Sequence, residues 1–219
     1  MTNFGPFDLV IFDNDGVLVD SERLANAILA DLLTGDGLPT TVEESMRDYM
    51  GGSVARAREI AEQRLGRPLF GGFEEQYHQR LYAAFDHLQP VPGVVAVLDA
   101  LARAGLPYCV ASSGAHDRIR RALRTVGLLD RFDDRRIFSV EDVTRGKPAP
   151  DLFLHAAEAM GHKPDRCAVV EDSPFGIEAA KAAGMAAFGY AAMTPAERLA
   201  AADLVVTDMT ALIPVLTSG

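Results

Sequence analysis

Positive charge is scarce in this chain. Lysine and arginine together number 21 against 31 acidic residues in 219, a net charge of −10 at pH 7. That balance excludes a non-specific grip on DNA, RNA or an anionic membrane surface, all of which need a basic face. Any anionic substrate must be held by charge concentrated at one place. Cysteine is almost absent as well. Cys109 and Cys167 each sit in a short β-type apolar run, Tyr108 to Ala111 and Cys167 to Val170, and read as buried small hydrophobes rather than as a disulfide or metal site. Such usage fits a reducing compartment. No run reaches the ~18 apolar residues of a membrane span, and the N-terminus lacks a basic segment followed by a long apolar one. The expectation is a cytoplasmic protein, neither exported nor membrane-spanning. There is no internal repeat and no low-complexity segment.

Apolar residues make up 48% of the chain and charged residues 24%, the balance of an ordinary soluble globular enzyme. The length exceeds the usual ~150 residues of one domain without reaching two, which suggests one large domain or a core with an insertion. The pattern along the chain favours the second. After a first apolar strand at Leu9 to Phe12, residues 21 to 87 carry no convincing strand and read as four helices, near 21–34, 41–50, 53–66 and 72–87. Ser21, Thr41 with Glu44, and Ser53 supply their starts, and Gly35-Asp36-Gly37, Gly51-Gly52 and Gly71-Gly72 the breaks between them. From residue 90 short apolar runs alternate with amphipathic helices, the signature of parallel βα units. The strands are expected at Tyr108 to Ser112, Ile137 to Ser139, Cys167 to Glu171, Ala186 to Tyr190 and Asp203 to Val206. The helices between them are expected near 93–104, 115–126, 150–161, 174–183 and 208–216. The expected fold class is α/β, a Rossmann-like doubly wound parallel sheet formed by residues 1–18 and 90–219, with an inserted α-helical cap at 19–89.

Four strand ends in this pattern carry chemistry. Asp13 and Asp15 follow the first strand, spaced i, i+2, and Gly16 lets the chain turn sharply. Two close carboxylates repel each other unless a cation or a shared proton makes the pair tolerable. Taken alone, the pair also reads as an Asx-type turn that ends a strand. Ser112-Ser113-Gly114 ends the second strand and opens a helix, bringing a hydroxyl and free backbone N–H groups to a place suited to an anion; an ordinary helix cap is the alternative. Lys147 lies in the loop Arg145-Gly146-Lys147-Pro148-Ala149-Pro150, stiffened by two prolines, where it can serve as a point charge on a transferring phosphoryl group. A solvated lysine is the equally weighted alternative for this loop taken alone. Glu171-Asp172 ends the run Ala168-Val169-Val170 and offers hard oxygen ligands for Mg²⁺, or else merely assists the cap made by Ser173-Pro174 at the next helix.

Together these segments resemble the haloacid dehalogenase superfamily, in the branch that includes phosphoglycolate phosphatase and β-phosphoglucomutase. Phe12-Asp13-Asn14-Asp15-Gly16-Val17-Leu18-Val19-Asp20-Ser21 resembles its first motif, Ser112 its second, Lys147 with Pro148 its third, and Glu171-Asp172-Ser173 its fourth, in the family's order. The resemblance implies that Asp13 is a nucleophile forming an aspartyl phosphate, and that Asp15 first protonates the leaving group and then activates water. It implies Mg²⁺ held by Asp13, the backbone carbonyl of Asp15 and Asp172, with Glu171 acting through a water. Ser112, Ser113, Gly114 and Lys147 would hold the phosphoryl oxygens.

Within such a family the residues narrow the reaction. Dehalogenases resemble this chain in their nucleophile but lack the second aspartate and need no magnesium, so Asp15 and Glu171-Asp172 favour phosphorus chemistry. Phosphonatases and β-phosphoglucomutases use a cap lysine, and residues 16 to 90 contain none. Mutases also use a histidine early in the first cap helix, where this chain reads Leu24-Ala25-Asn26-Ala27. The expected activity is therefore a Mg²⁺-dependent phosphatase of small phosphate monoesters, such as sugar, polyol or sugar-acid phosphates. The alternatives are a β-phosphoglucomutase-like phosphomutase and a non-catalytic phospho-accepting or ligand-binding module. Signalling receiver domains place similar groups around Mg²⁺ but are much shorter and have no such insertion. The cap carries seven arginines against twelve acidic residues and is no general anion trap; Gly52 and Arg56 are its candidates for substrate specificity, while His78 and His87 read as surface or packing residues. The protein is expected to act as a monomer on a small phosphorylated metabolite.

Overall fold

The computed structural model describes residues 4–49 and 54–218. Ser53 and the Gly51-Gly52 break lie outside the described residues.

Six strands form one parallel sheet: β1 (Leu9–Phe12), β2 (Tyr108–Ser112), β3 (Ile137–Ser139), β4 (Cys167–Glu171), β5 (Ala186–Tyr190) and β6 (Leu204–Val206), in the order β3-β2-β1-β4-β5-β6. Every residue of β1, β2 and β4 is buried. A parallel sheet needs crossover helices on both faces, so its central strands have no solvent side and their sequences are continuous apolar runs instead of alternating ones. Leu9, Ile11, Cys109, Ala111, Cys167, Val169 and Ala187 point to one face, where they pack with α7 (Asp151–Ala159) and α8 (Pro174–Ala182). Both cysteines are free and buried there, and burial pushes the Cys167 thiol up to about 11. The remaining helices of this unit are α5 (Val94–Ala104), α6 (His116–Thr125) and the short α9 (Leu212–Leu216), which is preceded by a 3₁₀ turn.

The strand order decides where the site can be. From β1 the chain winds outward through β2 to β3, then crosses back to place β4 on the other side of β1. The connections on either side of that reversal leave in opposite directions and open a crevice beyond the C-terminal ends of β1 and β4.

Two compact units result, Met1–Val19 with Gln89–Gly219, and Asp20–Leu88. Val19 belongs with the sheet because it bridges both Asp15 and Pro90, while the Val91 N–H donates to Leu18 O at 3.1 Å. The second unit consists of α1 (Glu22–Gly35), α2 (Val42–Tyr49), α3 (Val54–Leu65) and α4 (Phe73–Ala84), followed by a 3₁₀ turn to His87. Leu29, Leu32 and Leu33 recur at helical spacing on α1 and join Tyr49, Ala57, Ala61, Leu69 and Phe73 in a small core. Thr41 and Glu44 form the expected capping box, with reciprocal bonds of 2.8 and 3.1 Å. Ser21 holds the N-cap position of α1 but makes no side-chain capping bond; it is in a right-handed helical conformation, φ −92° and ψ −22°, rather than the extended one a cap adopts. Among the described residues, no helix is long and apolar enough to cross a membrane.

Candidate active site

The backbone after β1 is tightly wound. The Asp13 N–H extends the ladder to Val170 O at 3.0 Å, Asn14 O accepts from Leu18 and Val19, and the Gly16 N–H donates to Val19 O at 2.8 Å. Gly16 has φ +79°, and a Cβ placed there would stand 1.9 Å from Asp172 Oδ2. Only glycine lets this loop come so close to the carboxylate that follows β4.

Lys147 is the centre of the charge arrangement. Its Nζ donates to Asp13 Oδ1 and Glu171 Oε1, both at 2.6 Å, and to Ala111 O at 3.0 Å, and its side chain is only 5% exposed. The ammonium also lies 4.8 Å from the Phe153 ring centroid. Burial disfavours its charge, but the facing Asp13 and Glu171 carboxylates outweigh that and hold Lys147 above the ordinary lysine range. Asp13 is raised to about 7, by burial first and by the neighbouring Glu171 and Asp15 carboxylates, with Lys147 pulling the other way.

Glu171 is held from its second oxygen. The Ser173 N–H and hydroxyl both donate to Oε2, at 3.0 and 2.8 Å, and Ser173 Oγ in turn accepts from the Gly176 N–H at 3.0 Å, capping α8. A Cβ on Gly176 would meet Glu171 Cδ at 1.8 Å, so the first turn of α8 closes directly over this carboxylate. Ser112 is buried, and its Oγ accepts from the Gly114 N–H at 3.1 Å. That loop is tied to β3, because Ser139 Oγ donates to Gly114 O at 2.7 Å while the Ser139 N–H donates to Asp142. Ser113 is exposed.

Carboxylate oxygens of Asp13, Glu171 and Asp172 all lie within 4.8 Å of one another. All three side chains are buried, and an all-oxygen set of donors at this spacing fits a hard divalent cation.

A family model for haloacid dehalogenase-like hydrolases matches residues 7–184. The chain belongs to this family. This haloacid dehalogenase-like hydrolase is 32% identical to validoxylamine A 7'-phosphate phosphatase of Streptomyces hygroscopicus subsp. limoneus, covering 93% of this chain and 95% of that one. It is 30% identical to 6-phosphogluconate phosphatase of Escherichia coli K12, over 84% and 83%. Among solved structures, a haloacid dehalogenase-like protein from Agrobacterium tumefaciens superposes with a TM-score of 0.89 at 36% identity, covering 97% and 98% of the two chains. With family and relatives agreeing, this hydrolase is a phosphomonoesterase. Enzymes of the family generally use Mg²⁺, and the carboxylate cluster has the donors to hold a metal ion.

Asp13, Lys147, Glu171 and Asp172 converge, with Asp15 and the Ser112–Gly114 loop on the same sheet edge. Arg56 is in the helical unit, its guanidinium bonded to Glu59 at 3.0 Å on an exposed helix face. Gly52 lies outside the described residues. Arg118 lies in none of the sequence motifs, yet its Nη2 donates to Asp15 Oδ1 at 2.8 Å. One signal in the sequence marks it: Arg118 stands in the first turn of α6, after the N-cap Ala115, where the helix dipole disfavours a cation.

Proposed function

We propose that the protein is a Mg²⁺-dependent phosphatase that hydrolyses small phosphate monoesters through an aspartyl phosphate on Asp13. The observation that carries this reading is Lys147 bridging Asp13 and Glu171 from a buried position, because it fixes one nucleophile oxygen and places positive charge where a phosphoryl group must approach an anion. Asp13, Asp172 and the backbone carbonyl of Asp15 would hold Mg²⁺, with Glu171 reaching it through a water. The ion would supply charge neutralisation to the phosphoryl oxygens.

In the first step an Asp13 carboxylate oxygen bonds to phosphorus, the ester P–O bond breaks, and the departing oxygen takes the proton of Asp15. In the second a water oxygen bonds to phosphorus, the P–O bond to Asp13 breaks, and Asp15 recovers a proton from that water. Ser112 and the N–H groups of its loop, with Lys147, stabilise the equatorial oxygens, so catalysis is mainly positioning and charge neutralisation. The names of the two relatives, a 6-phosphogluconate phosphatase and a validoxylamine A 7'-phosphate phosphatase, support a sugar, polyol or sugar-acid phosphate as substrate. The residues expected as a cap, 19–89, act here as the part that selects it. The free buried thiols suit a cytoplasmic location.

The test is phosphate release from a panel of sugar, polyol, sugar-acid and nucleotide monophosphates, in Mg²⁺ and in EDTA, with Asp13→Asn as control. Metal-dependent turnover that Asp13→Asn abolishes, together with an acid-labile phosphoenzyme in the parent, is the expected result. Phosphate release that persists in Asp13→Asn removes Asp13 as nucleophile. Isomerisation of β-glucose 1-phosphate without phosphate release replaces the phosphatase with a mutase.

A further inference from the structure

Arg118 belongs to none of the four strand-end motifs, yet it is bonded to the one carboxylate of the site that must exchange a proton. We propose that Arg118 is a positioning residue that holds the Asp15 carboxylate in place through both proton transfers. The inference rests on the phosphatase reading above.

Both ends of the contact are anchored. Asp15 sits in the wound loop after β1, where it bridges Val19, so its backbone is held and its side-chain torsions set where the carboxylate points. Arg118 projects from a helix whose other face is locked, since Ile119, Ala122 and Leu123 are fully buried and the His116 N–H donates to Glu141 Oε2 at 2.9 Å. The bond joins residues 103 positions apart, with side-chain exposures of 38% for Arg118 and 20% for Asp15. At that depth water competes only partly for the pair, and reagents can still reach it.

The chemistry explains why the partner is an arginine. Asp15 gives a proton to the ester oxygen in one step and takes one from water in the next, so it must keep one orientation towards two different oxygens. Its anchor must not exchange protons in either step. A guanidinium stays protonated throughout and bonds a carboxylate in a fixed plane, whereas an ammonium can lose its proton and is a freely rotating donor. The cation also stands where the α6 dipole opposes it, a local cost that the Asp15 contact offsets. Misplacing a catalytic group by an ångström typically costs about 100-fold.

The experiment measures kcat/KM, which reports all steps through departure of the leaving group. The substrates are p-nitrophenyl phosphate, whose leaving group needs no proton, and glycerol 3-phosphate, whose leaving group does. Arg118→Ala is expected to lower kcat/KM for the glycerol ester at least tenfold more than for the nitrophenyl ester, with Arg118→Lys falling between it and the parent. In an Asp15→Asn background, Arg118→Ala should change the rate less than about twofold, since residues acting as a unit are non-additive. Two results overturn the inference: equal loss on both esters, or full additivity with Asp15→Asn. If Asp15→Asn itself fails to distinguish the two esters, the proton-transfer role of Asp15 fails and the phosphatase reading must be revised. If Asp15→Asn distinguishes them and Arg118→Ala does not, only the role of Arg118 falls.

Discussion

The sheet unit and the helical unit both carry ion pairs at their surfaces, but among the described residues only the sheet unit also buries charge at one point. In the sheet unit Asp13, Glu171, Asp172 and Lys147 are gathered at one buried point, and the backbone around them is so close that neither Gly16 nor Gly176 has room for a Cβ. In the helical unit the ion pairs are spread over the surface: Arg58 with Glu62 and Glu74, Arg64 with Asp48, Arg67 with Asp36, and Arg80 with Asp31. Exposed pairs of this kind contribute about 0–1 kcal/mol each, so that unit depends on a small apolar core and a few buried polar contacts. Concentrated charge costs stability where it is buried and is retained for chemistry. Dispersed charge costs little and keeps short helices soluble.

The sharpest way to break the comparison is to remove the buried cation of the sheet unit. Lys147→Met would leave Asp13 and Glu171 facing each other without it, and breaking a buried pair from one side costs about 3–5 kcal/mol. Urea denaturation in EDTA should show a loss of that size together with loss of turnover. A change under about 1 kcal/mol would mean that the buried cluster behaves like the surface pairs.

A middle-sized effect is expected from the helical unit. Ser45 Oγ donates to Asn26 Oδ1 at 2.9 Å in a buried setting, while Asn26 Nδ2 donates to Glu22 O. Ser45→Ala removes a donor and leaves a buried carbonyl oxygen unsatisfied, a loss of about 1–3 kcal/mol. Calorimetric titration should at the same time find Mg²⁺ affinity unchanged. Weakened Mg²⁺ binding would show that the two units are not separable in this respect.

The smallest effect is electrostatic and depends on pH. Hydrogen bonds from Arg47 and Arg64 hold Asp48 down to about 2. A carboxyl depressed in the folded state stabilises above its unfolded value of about 3.9 and loses that contribution as pH falls towards 2. Asp48→Asn should therefore cost about 1 kcal/mol or less at pH 6, because both arginines are largely exposed, and the difference from the parent should shrink towards pH 3. A difference that grows on acidification would reverse the sign and exclude this pair as its source.

Much of this was legible in the sequence for a simple reason. Asp13, Ser112 and Glu171-Asp172 lie at or just past the ends of apolar runs, and in a parallel sheet all such ends lie on one edge. Thr41 and Glu44 were legible because a capping box is made within four residues. Ser21 was misleading, since a serine before a helix need not adopt the extended backbone a cap requires. Arg56 is marked in the sequence only by its place after Gly51-Gly52, and its bond to Glu59 lies on the exposed face of its own helix.

By itself, then, the sequence determined the order of elements and the chemistry at each strand end, because strand, turn and cap preferences act over a few residues. Which charge meets which was decided only by the tertiary structure. Lys147 reaches Asp13 across 134 positions and Arg118 reaches Asp15 across 103, distances over which local preference carries no information. The register of β1 between β2 and β4 and the seating of α6 on the sheet bring these groups together. Burial then raises Asp13 to about 7, because the same packing that assembles the site excludes the water that would otherwise solvate it.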